Sequence, residues 1–201
     1  MTTAPTAEPD RVAAALRGFG PAGIIVILAV LLAGPLIGSV LVLLWAWRSR
    51  TPASDLGFVQ PKNWALTITV GIIAGVALKL LMKAVVMPLL GAPPTNPFYH
   101  HLVHNPGALP GMLFTVIASA GFGEEVIWRG FLFEGIGRLI GTSPRARAAT
   151  AIVSATLFGL VHYPSQRWMG VQQAFLVGLI VGGTYAATRR IWPLIVLHAA
   201  F

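Results

Sequence analysis

The sequence contains no cysteine, which excludes disulfides, thiolate metal centres and cysteine nucleophiles together. It is also short of charge: 10% of its 201 residues are Asp, Glu, Lys or Arg, against 56% hydrophobic ones. A soluble domain carries roughly 25% charged residues, so the composition is that of an integral membrane protein. Acids are scarcest, six against 14 bases, for a net charge of +8. A nucleic-acid binder would gather those bases on one soluble face. Here they fall between apolar runs, as in the cytoplasmic loops that separate membrane helices, so no nucleic-acid partner is expected. There is no HExxH zinc helix, no glycine-rich phosphate loop and no Ser-His-Asp order. Nor is there the internal repeat of broken helices that an ion-coupled transporter would show.

What remains is a succession of apolar runs. Residues 1–21 read as a polar N-terminal segment, disordered to Asp10 and then interfacial. Residues 22–201 read as a single transmembrane helical domain. Ala22 to Trp47 has no charge and exceeds the ~20 residues needed to cross a bilayer, so it is the clearest span. A polar loop with Pro52 and Pro61 leads to a second span, Trp64 to Leu90, interrupted by Lys79 and Lys83 on one helix face. Those lysines are expected to snorkel to the far interface, with a place near a functional site as the alternative. Gly91 to Pro110 is a base-free loop with three histidines. His100 and His104 would meet as metal ligands on a helix, but Pro97, Asn105 and Pro106 argue for an interfacial loop instead. Helix resumes from Gly111 to about Gly141, with Gly121 and Gly123 loosening it. Three further runs follow: Ala148 to Val161, Trp168 to Thr188, and Ile191 to the end. The expected fold is all-α, a polytopic transmembrane helix bundle of about six spans, the last one truncated. Placing Arg48, Arg50, Lys62, Arg138, Arg145, Arg147, Arg189 and Arg190 on the cytoplasmic side puts the N-terminus outside; Arg11 and Arg17 conflict with that topology.

The chemistry is concentrated in Gly121-Phe-Gly-Glu-Glu-Val-Ile-Trp-Arg-Gly130. Sixteen uncharged residues, Ala108 to Gly123, precede Glu124 and Glu125. An ionised side chain at membrane depth costs at least ~2.5–3.5 kcal/mol and usually marks function. Glu125 and Arg129 are four apart with the acid first, so on a helix they can pair. Glu124 lies about 100° round the helix without a partner in its own turn, which makes it the candidate general base. His162 ends one apolar run, a turn after Phe158, and His198 lies inside the last run. A lone histidine on an apolar helix is ordinarily a hydrogen-bonded core residue. A carboxylate with two such imidazoles, however, can activate water, directly or through a metal.

Glu124 to Arg129 fits EExxxR, Phe158 to His162 fits FxxxH, and His198 begins an HxxxN/D motif that would end one residue past Phe201. These three motifs, in order and each on an expected membrane helix, resemble the CAAX protease and bacteriocin-processing family of intramembrane endopeptidases, which includes the type II CAAX prenyl proteases. The resemblance covers roughly residues 64 to 201. It implies an endopeptidase in which Glu124 is the general base, His162 holds and polarises the water, and His198 stabilises the oxyanion. Glu125, Arg129 and Phe158 would support the site. The substrate would be a peptide or membrane protein, cut at the lipid bilayer, with the enzyme multi-pass in a bacterial cell membrane. The family is commonly labelled metalloprotease, so Glu124, His162 and His198 are candidates to hold one divalent metal such as zinc; a metal-free site fits equally. A sequence ending before the motif-three Asn or Asp lacks one oxyanion donor, a loss of ~10²–10³ in rate. It is expected to be either a fragment, which the short last helix favours, or an impaired enzyme. The alternative is a non-catalytic bacteriocin-immunity or peptide-binding membrane protein on the same fold.

Overall fold

The computed structural model describes residues 10–93 and 97–201, and the expected disorder of the first nine residues lies outside them. Every regular element among the described residues is helical. Eight helices follow one another: α1 Arg11–Arg17, α2 Pro21–Leu32, α3 Pro35–Ser49, α4 Trp64–Leu89, α5 Pro106–Ile140, α6 Pro144–Leu160, α7 Tyr163–Thr188 and α8 Trp192–Ala200. Their outer faces are aliphatic: Leu32 and Leu89 are 82% and 81% exposed, while Glu125 and Arg129 are 0% and 1% exposed. Apolar outside and charged inside is the inverse of a soluble bundle, and it is the arrangement hydrocarbon demands.

The run Ala22–Trp47, expected as one span, is two helices. Gly34 takes φ +78° between them, a conformation costly for any residue with a Cβ. Pro35, lacking an N–H, opens a new helix there instead of prolonging the old one. α3 then folds back along α2: a Cβ on Gly38 would meet the Val30 carbonyl, Ile27 lines the same cavity as Trp45, and Trp45 Nε1 donates to the Leu16 carbonyl at 2.9 Å. The hairpin returns to the end where α1 starts, so Asp10 meets Arg48 and Arg50 at 3.3 Å each. This corrects the expected topology, in which Arg11 and Arg17 opposed the other bases. Arg17, Arg48, Arg50, Arg138, Arg147 and Arg189 all stand at one end. Of the six or so spans expected, length and composition identify three or four among the described residues. α4, α5 and α7 are long and apolar enough to cross a membrane, and α1 with α2, bent by 54°, would make a fourth.

Small residues decide how closely the helices approach, as expected where lipid offers no hydrophobic contrast. Ala151 and Ala155 on α6 meet Gly182 and Gly178 on α7, a four-residue spacing on both sides. Gly71 and Gly75 on α4 lie against Pro193, Val196, Leu197 and Ala200 of α8. Gly121 receives the other side of α8 at Ile195 and Ala199, and Gly123 abuts Pro35. These two glycines let α8 and α3 close on α5. The helix is also loosened around them, as expected: it widens into i→i+5 turns over Thr115–Glu124 and Val126–Phe131, a geometry frequent at functional sites. Ser154 of α6 donates to the Trp128 carbonyl within that stretch at 3.1 Å.

Candidate active site

The widened part of α5 places Glu124 and Glu125 on either side of one imidazole. His198 Nδ1 lies 2.7 Å from Glu125 Oε1, and its Nε2 lies 3.6 Å from Glu124 Oε2. Glu125 Oε1 also receives Arg129 Nη1 at 2.8 Å, the pair expected from the four-residue spacing. Both members are fully buried, so the charges depend on each other. Arg129 gains little elsewhere: its Nη2 sits 3.5 Å from the Gly178 carbonyl and its guanidinium 4.9 Å over the Phe158 ring. An ionised Glu125 can only accept, so His198 Nδ1 is the donor and Nε2 is the nitrogen left to face Glu124. The contact between Glu125 and His198 was not legible in the sequence, because it joins residues 73 positions apart.

His162 reaches the same neighbourhood from the end of α6. Its Nδ1 lies 2.7 Å from the Phe158 carbonyl, which can only accept. The proton is therefore on Nδ1, and the Nε2 lone pair is free. Phe158, 2% exposed, is the wall common to the site: its ring stands edge-on to His162 at 4.7 Å, to His198 at 6.0 Å and to Trp128 at 5.6 Å. Both imidazoles lie within electrostatic reach of the Glu124 carboxylate. Glu124, Glu125, Arg129, Phe158, His162 and His198, named from the sequence, thus come together from three helices.

A small cavity of about 90 Å³ opens beside the two histidines, with Tyr99, Gln166, Gln173 and Lys79 in its wall. Gln166 and Gln173 stand on either side of a break in α7, where Arg167 has φ +54°, and both reach the cavity wall; the sequence reading passed over them because isolated amides in an apolar helix carry no motif. Lys79 does not simply snorkel away. It lines this cavity with its ammonium 4.5 Å over the Phe201 ring. Burial, and then the nearby Glu124 carboxylate, hold the Tyr99 phenol above its usual range. The loop histidines stand differently. Pro97–Leu102 is a 3₁₀ segment and His104 has φ +56°, so His100 and His104 share no α-helical face.

Among the described residues no three His, Asp or Glu side chains group closely enough to hold a metal ion. His198 would have to give up a carboxylate to offer a lone pair, since each of its nitrogens faces one.

Residues 106–201, which carry the first two motifs and the histidine of the third, match the family model described as Type II CAAX prenyl endopeptidase Rce1-like. No curated protein and no solved structure matches the chain. In an all-helical chain with helices able to cross a membrane, that match supports the CAAX protease and bacteriocin-processing family, and with it an endopeptidase of the CAAX-protease type.

Proposed function

We propose that the chain hydrolyses a peptide bond at or within the bilayer, with a water molecule activated by Glu124 and His162. The observation that supports this reading is that His198 faces the Glu124 carboxylate at 3.6 Å and shares the Phe158 ring with His162, in an otherwise apolar bundle. A water that donates one hydrogen bond to Glu124 and one to the His162 Nε2 lone pair keeps both protons but is polarised toward Glu124, which takes the proton it faces. Its oxygen lone pair then points outward as the nucleophile. Attack on the carbonyl carbon moves that proton to Glu124 and leaves an oxyanion. His198, its Nδ1–H committed to Glu125, donates from Nε2 in the imidazolium form. The charges close: Glu124 and Glu125 against His198 and Arg129. Collapse of the tetrahedral intermediate expels the amine, which takes the proton held by Glu124. Glu125 and Arg129 never meet substrate in this scheme; they set the tautomer and position of His198.

Gln166 and Gln173 supply amide donors and acceptors for the backbone of an extended peptide in the cavity. The test is cleavage of a membrane-reconstituted peptide substrate by Glu124→Ala and His162→Ala. Each should lose about 10²–10⁴ in rate while remaining folded. Turnover at the unsubstituted rate by either variant would end the proposal. Retained peptide binding and biological protection with no cleavage by any form would favour the non-catalytic immunity reading.

A further inference from the structure

The base-rich end holds two cavities that share one wall residue, Arg138. One, of about 280 Å³, is polar and lies between the end of α5, the first turn of α6 and the loop after α7. Arg138, Arg147 and Arg189 enter it from these three places, with Asp55, Glu134 and Thr142 beside them. The other, of about 260 Å³, is lined by Leu16, Phe19, Ile27, Trp45, Leu132 and Leu139, with Arg17 and Arg138 the charged members of its wall. Arg138 separates them, its guanidinium 5.4 Å over the Trp45 ring and paired with Glu134.

We propose that this pair of cavities binds an anionic phospholipid, its phosphate held by Arg147 and Arg189 and its acyl chain in the apolar cavity beyond Arg138. The charge balance leaves a cation unmatched. Glu134 is occupied by Arg138, and Asp55 is exposed at the rim. Arg189 is already oriented, since its Nη2 donates to the Asp55 carbonyl at 2.8 Å and its guanidinium stacks 4.9 Å over Tyr185. Arg147 is half-buried, and its guanidinium has no hydrogen bond or ion pair among the described residues. It also sits in the first turn of α6, which has no acid; the helix dipole disfavours a cation there and favours an anion beside it. Guanidinium forks from separate elements match a phosphate, whose several oxygens accept from different directions, better than a planar carboxylate. The adjoining apolar cavity selects an amphiphile over a free ion.

The experiment is native mass spectrometry of the full chain in detergent, titrated with phosphatidylglycerol, with phosphatidylcholine, and with phosphatidylglycerol in the presence of inorganic phosphate. Phosphatidylglycerol should bind more tightly than phosphatidylcholine. Arg147→Gln should weaken it about tenfold, as for one charged hydrogen bond, whereas Arg190→Gln, exposed and outside the cavity, should leave it unchanged. Should Arg147→Gln fail to fold, Thr142→Glu places a carboxylate at an exposed position on the same wall and should have the same effect. Equal binding of the two lipids, or equal weakening by Arg147→Gln and Arg190→Gln, would overturn the site. Full displacement by millimolar inorganic phosphate would overturn the lipid as its occupant. Because the readout is binding, it stands apart from the fate of the protease proposal.

Discussion

Replacing Glu125 with alanine removes the only close anionic partner, among the described residues, of a guanidinium that is 1% exposed. Breaking a buried ion pair from one side costs about 3–5 kcal/mol, because the remaining charge stays desolvated. What remains around Arg129 is poor compensation: a carbonyl at 3.5 Å, an aromatic face at 4.9 Å and an Nε with no hydrogen-bond partner among the described residues. The full penalty is therefore expected for Glu125→Ala. Glu124→Ala removes only a 3.6 Å contact with His198, so it should cost less than Glu125→Ala. The third member of the series is Glu125→Ala with Arg129→Met, which removes both charges and leaves an apolar side chain in place of the guanidinium. It should recover most of the lost stability but not activity, since His198 Nδ1 still lacks its acceptor. Reversible unfolding in mixed micelles, followed by the fluorescence of the six tryptophans, gives the stabilities, and peptide cleavage gives the activities. The reasoning fails if Glu125→Ala is as stable as the unsubstituted protein, or if the double variant is no more stable than the single one.

A Cβ on Gly75 would lie 2.3 Å from the Leu197 carbonyl and 2.8 Å from Ala200 Cβ, whereas one on Gly183 would meet nothing within 4 Å. Gly75→Ala should therefore push α8 away, move His198 and reduce cleavage at least tenfold by loss of positioning, while Gly183→Ala retains full activity in the same assay. Chelation should leave activity unchanged, and elemental analysis should find less than one metal per chain. Activity lost to a chelator and restored by zinc would refute the metal-free mechanism.

The acid doublet was legible in the sequence because its signal is local: three charges within six residues of an apolar stretch, two of them at helical spacing. The ordered motifs likewise announced His162 and His198. How these meet was not legible, since His198 reaches Glu125 only because Gly71, Gly75 and Gly121 let α8 lie flush between α4 and α5. Of these, Gly121 read locally as a loosening of its helix, and Gly71 and Gly75 carried no local signal. The hairpin of α2 and α3 was hidden for a different reason. A count of apolar residues is blind to a break inside them, although Gly34-Pro35 carried the breaker signal. Lys79 was ambiguous for want of any local clue, as a long amphipathic side chain can run toward either an interface or a cavity.

The most direct test of the mechanism is the cleavage rate of Glu124→Gln, which keeps the shape of the side chain and removes its ability to accept a proton from water. The rate should fall at least a hundredfold with stability and peptide binding unchanged. A folded Glu124→Gln that cuts as fast as the unsubstituted protein would show that another group activates the water.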